Sequence, residues 1–529
     1  MIPAYAYGVS EATSNEDGWF STPRLAAFCG IFNIGVGPAR IGSQVQSIDL
    51  RAGDCTRELI ETAPHVFSRF FRIFPGLSLL FSFTLAAQET SQFQGSVPTG
   101  NATSTPLALK LDDAIHRGLV ANLGLLERGT ASQTARAERI RALSALYPQV
   151  TGNVGETVQQ LNLKTLGLGS LGVPGLSGLP TVVGPFSYST AQANVSASVF
   201  DWNLRKRLGS ARANEEASKL SIQDARDLVV QAVAYTYLQI IADSSRVASI
   251  QAQVATAEAV YNRAVDRKTA GLSPAIDVLR AQVEFKTQQQ RLLVEQNQFA
   301  KDKLTLGRVI GLPPSQPFYI ADSTPFTPFS GLTLDQALRT AVVQRADYQS
   351  ARNLLVAADE AVKAARAEWY PTVDVNGYYG ATGPTVGNSH GVFLVTGSLN
   401  FNIFNGGRIR SDIEQARAAR KQRADELADL GGQIEVQVRT AFLDIQSAAD
   451  QVAVAQSNVE LAGQTLQQAR DRFIAGVADT IEVVQAQESV ATASDNLISA
   501  SYAHNLAKAS LARALGLAEQ GIKKLIEVK

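Results

Sequence analysis

One stretch of this chain is written twice. Residues Val230 to Leu312 can be laid on Glu435 to Leu517 at a constant offset of 205 residues, which sets Gly271 on Gly476, Asp277 on Glu482, Val278 on Val483, Ala281 on Ala486 and Gln282 on Gln487. A second match precedes it. "LDDAI" at Leu111 answers "LDQAL" at Leu334, and "YPQV" at Tyr147 answers "YPTV" at Tyr370. The order is the same in both copies, so the chain is a tandem duplication whose period far exceeds the roughly 20 to 50 residues of a solenoid repeat. The offset differs between the two matches because the first copy carries a longer insertion around residues 155–190.

Within each copy the texture alternates. Stretches rich in Ala, Gln and Arg without internal proline run from about Leu109 to Leu146, Arg205 to Ala270 and Pro274 to Leu312, and again from Leu332 to Trp369, Arg408 to Ala475 and Asp479 to Leu517. Their composition predicts helices. The longest, at 1.5 Å per residue, would reach about 100 Å, too long for a compact domain. Apolar residues recur at spacings of three and four (Val247, Ile250, Val254, Ala257, Tyr261, Ala264; then Val452, Ala455, Val459, Ala462, Leu466, Ala469, Phe473). Such a seam, rich in alanine, predicts closely approaching coiled-coil helices.

Between the helices the period drops to two. Ala191, Ala193, Val195, Ala197 and Val199 alternate with polar residues, as do Phe393, Val395, Gly397, Leu399, Phe401 and Ile403. Weaker strands precede them at Gln149 to Thr157 and Thr372 to Gly380. Each would have one apolar and one polar face. Four strands cannot close a sheet that faces lipid, because an open edge leaves backbone groups without partners, and membrane barrels start at about eight strands. The pattern therefore calls for an oligomer.

Composition narrows the setting. The formal charge is zero, which argues against nucleic acid as a partner. Arg69 and Arg72, an apolar run from Ile73 to Leu85 and then Ala86 and Ala87 have the layout of a secretory signal peptide. The residues ahead of it fit no secretory pattern, and Val66 is a candidate first residue. The two cysteines, Cys29 and Cys55, both precede the signal, so no cysteine is left to carry a lipid anchor after Ala87. No later segment approaches the roughly 18 to 20 apolar residues of a membrane helix.

These residues resemble the TolC-like outer-membrane efflux proteins, over roughly Leu107 to Leu517. The likeness rests on both helix–strand–strand–helix units, both Tyr-Pro strand entries, the "FNGGRIRSDIEQA" exit of Phe404 to Ala416 and both Gly-containing turns before "VLRAQ" and "VVQAQ". It implies an α+β membrane protein: a long α-helical coiled-coil barrel in the periplasm, plus four strands per chain contributing to a 12-stranded trimeric β-barrel. The implied organisation is an N-terminal extension and signal peptide over 1–87, a periplasmic segment over 88–108, a first repeat over 109–317, an equatorial linker over 318–331, a second repeat over 332–517 and a tail over 518–529.

The resemblance also implies a homotrimer in outer-membrane lipid, working as the passive exit channel for a periplasmic adaptor and an inner-membrane pump, with no cofactor. The paired turns would form the closed periplasmic tip. There Arg267, Gly271, Arg472 and Gly476 fall on adaptor-contact turns, and Asp479, Glu482 and Gln485 on the gate. Glu482 takes the position that supplies an acidic ring, and Gln485 departs from the family where some relatives have a second one. The same architecture serves a type I protein secretion duct. A non-conducting structural coiled coil is a different alternative.

Two motifs point elsewhere and lack their context. "GLGSLG" at Gly167 to Gly172 matches a dinucleotide fingerprint but opens no helix to receive a phosphate. "GNSHG" at Gly387 to Gly391 matches a nucleophile elbow, yet a strand is expected after Ser389 and its neighbour His390 is not a positioned base. His116 and His504 fall on different helices, so no metal cluster is visible in the sequence.

Overall fold

The computed structural model describes residues 93–165, 180–322, 326–329 and 331–526. The secretory segment, both cysteines and the "GLGSLG" run lie outside the described residues. The first repeat runs β1 (Leu107–Leu109), α1 (Leu111–Ala121), α2 (Leu123–Ser144), β2 (Gln149–Asn162), β3 (Val182–Phe200), α3 (Trp202–Thr269) and α4 (Ala275–Val309). The second runs β4 (Phe318–Ile320), α5 (Leu334–Gln344), α6 (Ala346–Ala367), β5 (Thr372–Gly383), β6 (His390–Asn400), α7 (Arg408–Ile474) and α8 (Thr480–Ala514), and α9 (Ala518–Ile526) follows. Helices α3 and α7 have 68 and 67 residues, and α4 and α8 have 35 each. No helix among the described residues is long and apolar enough to cross a membrane.

Two predicted helices are each broken at one residue. Asn122 and Arg345 adopt extended backbone, with ψ of 126° and 118°. The Asn122 carboxamide is fully buried; its oxygen accepts the Leu125 N–H at 3.4 Å and its nitrogen donates to the Phe93 carbonyl at 2.6 Å. Arg345 is buried too, donating to Asp347 at 2.6 Å and to Gln437. Neither residue is a proline or glycine, so composition alone does not reveal the break.

A small parallel sheet, absent from the sequence reading, pairs β1 with β4 and ties the repeats together. Beneath it Tyr237, completely buried, donates to the carboxylate of Asp322 at 2.9 Å, which also accepts the Leu111 N–H. Leu109, Leu111, Ile240, Leu306 and Phe318 pack around this point. Ile434, Val438 and Leu511 centre a second cluster, and Leu466, Phe473 and Val483 a third at the far end of the long helices.

The main sheet is antiparallel throughout, in the order β2-β3-β5-β6. Its register puts Val150, Val154 and Val158, Ala191 and Val195, Val375 and Tyr379, and Phe393 and Val395 on one face. Asn153, Gln192, Asn194, Asp374 and Ser198 share the other. The apolar face is bare in the single chain: Val154 is 85% and Phe393 76% exposed. Expected alternation through Ile403 stops early, with β6 ending at Asn400 opposite Thr372. The next partner would be Pro371, which has no N–H to give.

The buried ion pair makes a first prediction. Burial alone would raise the Asp347 pKa, but its bonds to Arg345 and the charge of Arg513 outweigh that and hold it low. Arg345→Ala is expected to destabilise the protein by about 3 kcal/mol, seen as a lower melting temperature, and Arg345→Met with Asp347→Asn to recover most of it. His504 makes a second. It is fully buried with its ring 4.8 Å from that of Phe326; burial, then the Lys508 charge, push its pKa down to about 4. Below the unfolded value of 6.5 the unfolded chain binds a proton that the folded chain refuses, so stability falls as pH drops from 6.5 through about 4. In His504→Leu the acid limb of the stability profile should flatten over that window; an unchanged limb would refute the assignment.

Candidate functional site: the paired helical turns

Both turns begin as helix ends that sequence chemistry can close in one way. After α3 the N–H of Gly271 donates to the Lys268 carbonyl at 2.9 Å and that of Leu272 to the Arg267 carbonyl at 2.8 Å. After α7, Gly476 donates to Phe473 at 3.2 Å and Val477 to Arg472 at 3.0 Å. This is the Schellman closure, which needs a left-handed residue at its centre. Gly271 and Gly476 supply it, with φ of 72° and 77°. The turn expected at each glycine is therefore present.

The two arginines that precede the glycines are equivalent in the duplication but not in the structure. Arg267 reaches across to the other turn, where its guanidinium donates to the Phe473 carbonyl and lies over the Phe473 ring, 4.9 Å from its centroid. Arg472 stays in its own turn and pairs with Glu482 at 3.0 Å. The cause lies in neighbouring positions. Phe473 falls on Lys268 in the first copy, which offers no ring. Glu482 falls on Asp277, which stands 3.8 Å from Arg280 one helical turn on; in the second copy that position is Gln485, so Glu482 turns to Arg472 instead.

Asp479 caps α8, its carboxylate accepting the N–H groups of Ile481 and Glu482 at 3.1 and 3.2 Å. A carboxylate there also complements the helix dipole. Gln485 is exposed on the same helix. The structure thus gathers Arg267, Gly271, Arg472, Gly476, Asp479 and Glu482 at one end of the helices. The Arg267–Phe473 tie is the feature that sequence reading missed; the only signal was an aromatic at 473 against a lysine at 268. In the "GNSHG" segment a strand follows Ser389 as expected, β6 beginning at His390, and the Ser389 hydroxyl donates to the Thr385 carbonyl at 2.8 Å.

Comparison with known proteins adds an independent view. The family model for outer membrane efflux proteins matches residues 115–312 and 337–517, which are the two repeats. The pyoverdine export outer membrane protein OpmQ of Pseudomonas aeruginosa is 25% identical over 427 residues, covering 77% of this chain and 85% of that protein. The cation efflux system protein CusC of Escherichia coli K12 is 25% identical over 186 residues, 33% of this chain and 39% of that one. Among solved structures, CusC superposes with a TM-score of 0.66 at 20% identity, over 79% of this chain and 95% of its own. The outer membrane protein VceC of Vibrio cholerae gives 0.66 at 20% identity, over 77% and 96%.

A substitution separates backbone geometry from contact at the first turn. No atom lies within 4 Å of a Cβ built on Gly271, so Gly271→Ala meets only the left-handed penalty of about 1 to 2 kcal/mol. We expect faster amide exchange of Leu272 with little change in global melting. Arg267→Ala should instead speed exchange at Gly476, across the tie. Equal effects of both variants on both turns would contradict this assignment.

Proposed function

Because the chain belongs to the outer membrane efflux protein family, we propose that it is the passive exit channel of a tripartite efflux system, conducting small molecules such as drugs or toxic compounds from pump and adaptor to the exterior. As a family member it sits in the outer membrane with its helices in the periplasm, and the coarse role of efflux follows from the same membership. The observation that carries the finer reading is the four-stranded sheet: one bare apolar face, one polar face and two unpaired edges, β2 and β6. Three chains joined edge to edge make a twelve-stranded barrel with the apolar faces toward lipid and the polar faces lining a water-filled bore. Conduction down that bore needs no chemistry from the chain.

Gating belongs to the paired turns. Three copies bring six turns to the periplasmic end, where a hexameric adaptor finds a matching ring. Glu482, capped below by Asp479 and flanked by Gln485, contributes one carboxylate per chain to the aperture, and a ring of three favours cations. Its pairing with Arg472 is exposed and therefore weak. The charge remains available to the aperture when the turns separate. Arg267 ties each chain's two turns together in the closed state.

Conductance of the purified protein in a planar bilayer tests the reading. Stable openings are expected, with a cation preference that falls in Glu482→Gln. Openings indifferent to that substitution would move the gate elsewhere. Absence of both openings and trimers would sink the channel.

A further inference from the structure

The lower end of the sheet carries a feature that neither efflux nor gating uses. Along β3 from Phe186 to Ser198, even-numbered residues lie on the face that carries Gln192 and Asn194, and Ser198 itself stands opposite Asp374. A register shift between Ser198 and Phe200 then sets Phe200 opposite Val373, a member of the apolar row. The bulge has re-aimed one ring from the polar face to the apolar one. Trp202, the first residue of α3, stacks on it with centroids 6.4 Å apart and planes 27° from parallel.

Two cations lie over these rings. The Arg205 guanidinium is 5.6 Å from the Phe200 centroid, and the Lys206 ammonium 5.5 Å from that of Trp202. They sit where the helix least favours them. The first turn of a helix attracts anions and repels cations; Asp201 caps α3, its carboxylate accepting the Leu204 N–H at 3.1 Å, but no acidic residue lies within the turn and Arg205, Lys206 and Arg207 come next along the helix. Local carboxylates compensate only in part. Lys206 stands 3.2 Å from Glu360, which Lys363 also holds at 2.6 Å, and Arg207 stands 3.8 Å from Glu368, which Arg408 also holds at 3.0 Å. Arg205 is exposed and has no ion pair among the described residues.

Stacked aromatics at the end of a lipid-facing strand mark the headgroup level of a membrane protein, and long basic side chains lay their stems along such rings with the charge at the phosphates. We propose that Phe200, Trp202, Arg205 and Lys206 form a binding site for the phosphate headgroup of an anionic phospholipid in the leaflet nearest the helices. An anionic headgroup fits better than a zwitterionic one because it brings no ammonium of its own to compete with the two cations. The site rests on the reading that the apolar face of the sheet meets lipid.

The chain has three tryptophans, Trp19, Trp202 and Trp369, so a Trp19→Phe/Trp369→Phe background leaves Trp202 as sole reporter. The protein would be reconstituted in phosphatidylcholine vesicles containing a minor fraction of either brominated phosphatidylglycerol or brominated phosphatidylcholine, and Trp202 quenching compared. We expect phosphatidylglycerol to be enriched around Trp202 about five-fold per cation at low salt. The enrichment should shrink in high salt, vanish in Arg205→Gln/Lys206→Gln and persist in Arg205→Lys, with melting temperatures unchanged. Equal quenching by the two lipids in the parent would overturn the headgroup site and leave the barrel standing. No quenching by either would place Trp202 away from lipid and overturn the site, whereas the barrel itself stands or falls on conductance.

Discussion

A backbone N–H or C=O that faces hydrocarbon has no water to turn to, and everything distinctive about this chain follows from that cost. Its four strands satisfy one another across three ladders and leave two edges open. Alternation of side chains has already divided the sheet into a lipid-compatible face and a wet one, so the edges are the remaining defect. Proposed closure by two further copies removes them. It also explains why each strand adjoins a helix at one end, β2 and β5 entered from one and β3 and β6 leading into one, since a ring of strand ends fixes a ring of helix ends below it.

Much of this was legible in the sequence because it depends on period. The change from spacing three and four to spacing two located the four main strands and the long helices, and the 205-residue offset aligned α3 with α7 and α4 with α8 at their ends. What escaped was set by single buried contacts. Asn122 and Arg345 break helices through side-chain hydrogen bonds to residues distant in sequence or in the opposite helix, which no local pattern encodes. The β1–β4 pair is too short for a period to register. At the turns, the glycines were visible because a left-handed position demands them, whereas the partners of Arg267 and Arg472 depended on which neighbours the other copy had kept.

Those partners show how a duplication acquires direction. Two equal hairpins would give three chains six identical turns. Here a phenylalanine in place of a lysine, and a glutamine in place of an arginine, leave one arginine bridging between hairpins and its twin folded back on its own. The ring the turns would form is three-fold in its bonding even though it is six-fold in its backbone. A partner of true six-fold symmetry would meet stiff and loose sites in alternation.

The hairpin loops of the sheet carry a different lesson. The repeats are offset by 223 residues from Leu111 to Leu334 and from Gln149 to Thr372, but by 205 along the long helices. Most of that difference lies between β2 and β3, where residues 163–181 answer 384–389 of the second repeat. The ladder between β2 and β3 reaches Asn162 opposite Val182, so most of the difference in length between the copies falls in the connection and not in the paired residues. The two copies thus differ most in length where the difference touches neither the paired turns nor the helix seams, so the size of the hairpin connection is uncoupled from how the long helices meet.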